Sequence, residues 1–111
     1  MSVLEEVLLE EYERSVESIA AIEEELQDLP RGYLRERKVR GSTYFYLQRR
    51  EGKRVISEYV SRDEAPRMRE KLERRKALVE AIKIQEKNVR QIERALGKGF
   101  VQGRALIGSS R

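Results

Sequence analysis

Residues 33–60, YLRERKVRGSTYFYLQRREGKRVISEYV, decide the fold. Three runs rich in Tyr, Val, Ile and Phe (33–40, 43–50 and 53–60) are separated by Gly41-Ser42 and Glu51-Gly52. Aromatic and β-branched residues favour strands, and glycine dipeptides favour two-residue hairpin turns. The stretch reads as a three-stranded antiparallel meander. Gly41-Ser42 suits a type II′ turn with Gly first, and Glu51-Gly52 a tight turn with Gly second.

Those turns imply a register. Val39 would oppose Tyr44, Arg37 would oppose Tyr46, Gln48 would oppose Val55, and Tyr44 would oppose Tyr59. Directly opposed residues share a face. One face then carries Leu34, Phe45, Leu47, Ile56 and Val60, an aliphatic patch suited to a covering helix. The other carries Tyr33, Arg35, Arg37, Tyr44, Tyr46, Gln48, Arg50, Lys53, Ser57 and Tyr59.

Helices flank the meander on both sides. Upstream, Leu4, Leu8, Tyr12, Val16, Ile19, Ile22, Leu26 and Leu29 recur three or four apart, which predicts a helix over 3–29. Ser2 and Glu5 have capping-box spacing, and Pro30 with Gly32 ends the helix. Downstream, Met68, Leu72, Arg75, Val79, Ile82, Glu86, Val89, Ile92 and Leu96 predict a second helix over 64–96. Asp63 is the expected N-cap, because it keeps Pro66 among the first helical positions, whose N–H groups have no partner anyway. At ~1.5 Å per residue the helices run roughly 40 and 50 Å. The expectation is an α+β fold, a long antiparallel helical hairpin with the meander between its helices. Residues 1–97 form one such domain, followed by a basic tail, 98–111, that is flexible or docked.

The chain has 111 residues, with 24 Lys and Arg against 20 Asp and Glu. The net charge of +4 conceals segregation. Residues 1–30 hold ten acids and one base, whereas 31–62 hold ten bases and three acids. There is no His and no Cys, which removes disulfides, thiol and imidazole catalysis, and thiolate or imidazole metal sites. No carboxylate pair, activated nucleophile or glycine-rich phosphate loop is recognisable. No catalytic residues, metal or cofactor are expected, and no small-molecule substrate is evident. No run reaches the ~20 apolar residues of a membrane span, and the acidic start is unlike a signal peptide, so a cytoplasmic location is expected.

The Tyr/Arg sheet face is the functional candidate. Arg and Lys neutralise phosphates, Arg and Gln can address base edges, and Tyr can stack on bases or contact phosphates. The candidate contacts are Arg35, Arg37, Tyr44, Tyr46, Gln48, Arg50, Lys53 and Tyr59. The same composition also suits a protein contact or an ordinary solvated sheet face. Residues 77–84 are apolar nearly all round, which implies a second partner unless the sheet or the tail covers that face, and a homo-oligomer through the long helices is expected. The leading expectation is a non-enzymatic protein that binds nucleic acid, duplex DNA in preference to RNA. The alternative is a coiled-coil structural or adaptor protein of chaperone or scaffold type.

Two resemblances attach to the meander. Leu29-Pro30-Arg31-Gly32-Tyr33, Gly41 to Lys53 and Val55 to Val60 resemble a group of small uncharacterised archaeal and bacterial proteins. These share a helix, an aromatic hairpin region of the form YYYLQ-R-GK-V-S-Y and a long charged helix. The meander-then-helix order over 33–80 also looks like arm-type DNA-binding domains of tyrosine integrases. In that family the sheet enters the major groove, which would make Arg35, Arg37, Tyr44, Tyr46, Gln48 and Lys53 the contacts.

Overall fold

The computed structural model of the chain describes residues 2–97, and the tail at 98–111 lies outside them. The elements are α1 (Val3–Gln27), β1 (Tyr33–Val39), β2 (Ser42–Glu51), β3 (Arg54–Val60) and α2 (Ala65–Leu96). Two helices that pack against each other flank a three-stranded antiparallel sheet of order β1-β2-β3, the expected α+β architecture. The chain divides into two compact units, one spanning Asp28–Ala77 and the other formed by the described residues on either side of it. Among the described residues, no helix is long and apolar enough to cross a membrane.

The helical unit begins with a reciprocal capping box. Ser2 Oγ accepts the Glu5 backbone N–H at 3.2 Å. The Glu5 carboxylate in turn accepts the Ser2 N–H at 3.2 Å and its hydroxyl at 3.0 Å. These bonds, the one from the Ser2 backbone first, hold the Glu5 carboxyl below its ordinary range. At its far end α1 stops at Gln27, two residues short of the expected boundary, because Pro30 has no N–H to give to the carbonyl four residues back.

The core of this unit joins Tyr12 and Ile19 of α1 to Val89 and Ile92 of α2, with Leu8, Val16 and Leu96 packed around them. Removing each such side chain from water contributes about 1.5–3 kcal/mol. Two details depart from the expected stripe. Leu4 is 68% exposed, so the buried stripe starts at Leu8. Ser15, outside the apolar pattern, is buried because it lies three residues after Tyr12 and four before Ile19, on the same helix face.

In the sheet unit the aliphatic face packs as expected. Leu47 and Val60 are buried with Ala65, and Leu34, Phe45, Met68 and Leu72 close around them. The first turns of α2 therefore cover this face. The start of that helix corrects the expected cap: Ser61, not Asp63, does the capping. Ser61 Oγ accepts the Glu64 N–H at 3.2 Å, and its carbonyl accepts the Ala65 N–H at 3.0 Å. Pro66 has no N–H to give, and the ladder resumes with the Met68 N–H on the Glu64 carbonyl at 2.9 Å.

The turns differ from the sequence expectation. The first is Arg40-Gly41, both at positive φ (49° and 81°), the pattern of a type I′ turn. The second is Gly52-Lys53 with Gly first, at φ 61°. Each turn is displaced by one residue, which moves every cross-strand partner by two. Arg37 pairs with Tyr44, Arg35 with Tyr46, Gln48 with Ser57 and Tyr46 with Tyr59. Side chains alternate with a period of two, so an even displacement leaves both faces as expected.

Candidate functional site

The face turned away from α2 is built in cross-strand rows. Arg37 and Tyr44 form one row, and Arg35, Tyr46 and Tyr59 the next. Tyr33, Gln48 and Ser57 follow, then Arg50 beside Val55. Seven of the eight expected contacts thus share one face. Lys53 is the exception: it is an exposed residue of the second turn and does not oppose Arg50.

Exposure is graded across this surface. Tyr33 and Tyr59, on the two edge strands, are 74% and 62% exposed. Arg35, Arg37 and Arg50 are exposed, and Tyr44 only just so. Tyr46 and Gln48 on the central strand are half-buried by their neighbours. The Tyr46 ring meets that of Tyr59 edge-on. Gln48 Nε2 donates to Ser57 Oγ at 3.1 Å, which leaves its carbonyl oxygen and one N–H directed elsewhere. Tyr33 and Ser57 belong to this surface although neither was singled out as a contact. Strand alternation alone identifies both.

The electrostatics follow from the same alternation. The strands contain three acids that sit on the α2-facing side, Glu36, Glu51 and Glu58. There Arg49 bridges Glu51 and Glu58, each at 2.9 Å, and Arg69 of α2 reaches Glu36 at 3.2 Å. Glu58 first and Glu51 second push the Arg49 pKa further up. The Tyr/Arg face holds no acidic strand residue, and among the described residues no salt bridge engages Arg35, Arg37 or Arg50. The dense basic run of the sequence is thereby divided. Arg35 and Arg37 lie on the open face, Lys38 on the other, and Arg40 in the turn.

Gly32 fixes how the chain enters the sheet. Its φ is +118°, and a Cβ there would collide with the Gln48 carbonyl oxygen and crowd Arg49. Glycine therefore lets the segment before β1 lie against β2 beside the candidate surface. Among the described residues, no group of three or more Asp and Glu side chains is placed to hold a metal ion.

A family model described as a domain of unknown function (DUF6788) matches residues 8–70, covering most of α1, the whole sheet and the start of α2. No curated protein and no solved structure matches the chain. The family match takes in more than half of the chain and the entire candidate surface, and the chain belongs to the DUF6788 family.

Proposed function

We propose that the Tyr/Arg face of the sheet is a nucleic-acid-binding surface and that its ligand is duplex DNA. The observation that carries this reading is the sorting of charge. The sheet's acids lie on the face covered by α2, while Arg35, Arg37 and Arg50 have no ion-pair partner among the described residues and stand among four tyrosines on the open face. Clustered unpaired cations repel one another, and a polyanion relieves that repulsion while releasing its own counterions. Three strands at ~4.8 Å spacing are about 10 Å across, compatible with a major groove about 12 Å wide. The arginines and Lys53 would take phosphates, and Gln48 a base edge. The resemblance to integrase arm domains supports the same docking.

The test is binding of a labelled duplex across a salt series. Replacing Arg35, Arg37 and Lys53 with Ala should weaken binding and flatten the log–log salt slope by about 2–3. Replacing Lys38 and Arg54, which are on the α2-facing side, should do much less. No binding by the parent protein at low salt, or equal loss in both sets, would overturn the proposal. A parent that ignores DNA yet forms a salt-insensitive oligomer would favour the helical adaptor reading.

A further inference from the structure

The two compact units carry opposite charge. Within 2–27 and 78–97 there are twelve acids against five bases, and within Asp28–Ala77 sixteen bases against eight acids. Each unit also presents an uncovered apolar patch of its own kind. At the start of α1, Val3, Leu4 and Val7 are 77%, 68% and 51% exposed, beside the acids Glu6 and Glu10. Val3 and Val7 are one helical turn apart and Leu4 lies three residues before Val7, so the three form one small patch. On the sheet, the exposed rings of Tyr33 and Tyr59 lie among Arg35, Arg37 and Arg50.

We infer that the Tyr/Arg face is also a docking surface for a second copy of this chain, which inserts the acidic, apolar first turns of its α1. The pairing matches twice over: acids meet unpaired arginines, and aliphatic side chains meet tyrosine rings. Among the described residues nothing covers either surface, so each copy has one donor end and one acceptor face. Such a contact joins two different surfaces, the donor end of one copy and the acceptor face of another. It is electrostatically steered, and salt weakens it.

Sedimentation velocity on the full chain tests this without any nucleic acid, so the result is independent of the function proposed above. The parent's average mass should rise with concentration at about 25 mM salt and stop rising at about 500 mM. A face variant, Arg35→Ala with Arg37→Ala and Arg50→Ala, should raise the apparent Kd about tenfold or more. A helix variant, Val3→Ser with Val7→Ser, Glu6→Gln and Glu10→Gln, should do the same. Mixing the two should restore association, because each retains the surface the other lacks. All the substituted side chains are exposed, and circular dichroism checks the folding of both variants. A parent that does not associate at low salt, variants that associate like the parent, or a mixture that forms no complex would each overturn the inference.

Discussion

Tyr46 on β2 and Tyr59 on β3 are cross-strand partners whose rings meet edge-on, with centroids 5.9 Å apart and planes at 70°. This arrangement sets the positive edge of one ring against the negative face of the other. It buttresses the centre of the open face and leaves Tyr59 accessible. The pair depends on register: with the turn one residue earlier, Tyr59 would face Tyr44.

Tyr59→Ala should therefore lower stability by about 1 kcal/mol, through the lost ring pair. Tyr59→Phe keeps the ring and should remain within about 0.5 kcal/mol of the parent. Urea unfolding of the two variants checks the contrast. Equal losses would mean that the hydroxyl, not the ring contact, carries the effect.

Gly32→Ala should destabilise by about 2–3 kcal/mol, because a Cβ would meet the Gln48 carbonyl and the positive φ adds backbone strain. Thermal unfolding reads the loss. A Tm unchanged from the parent would show that the entry to β1 relaxes freely.

Arg40 is a non-glycine residue at φ 49° in the first turn. Asn tolerates that region better and is favoured at this position of a type I′ turn. Arg40→Asn should raise stability by about 0.5–1 kcal/mol, measured as a higher urea midpoint with an unchanged m-value.

Ser15 is 1% exposed, and its hydroxyl has no hydrogen-bond partner among the described residues. Burial without a partner costs roughly 1–3 kcal/mol, and alanine removes that cost while nearly keeping the volume. Ser15→Ala should leave stability unchanged or raise it by about 1 kcal/mol. A clear loss would reveal a hydrogen bond made in solution.

The capping box makes the start of α1 sensitive to acid. The folded Glu5 carboxyl lies below its ordinary value of 4.5, so its contribution is complete above that value. It fades as pH falls through the lower folded value. Carboxyl NMR titration should place Glu5 below 4.5, and Ser2→Ala should raise it.

Much of this protein is legible without coordinates, because side-chain periodicity is a local property. The stripe through Tyr12 and Ile19 marks a helix and its buried face. Alternation along 33–60 separates Leu47 and Val60 from Tyr46 and Tyr59. That separation holds although both turns lie one residue from their expected places, because the change in pairing is even. Ser15 was missed because a buried hydroxyl leaves no mark in an apolar pattern.

Sequence by itself determined the element types, their order and the two faces of the sheet. Tertiary structure decided which residues became neighbours. It put Arg40-Gly41 and Gly52-Lys53 in the turns, brought Ser57 to Gln48, and set Glu51 and Glu58 around Arg49. It also left Val3 and Leu4 open to solvent while Leu8 packs against the core. The reason is physical: alternation is dictated residue by residue along the backbone, whereas pairing and burial depend on contacts between segments distant in the chain.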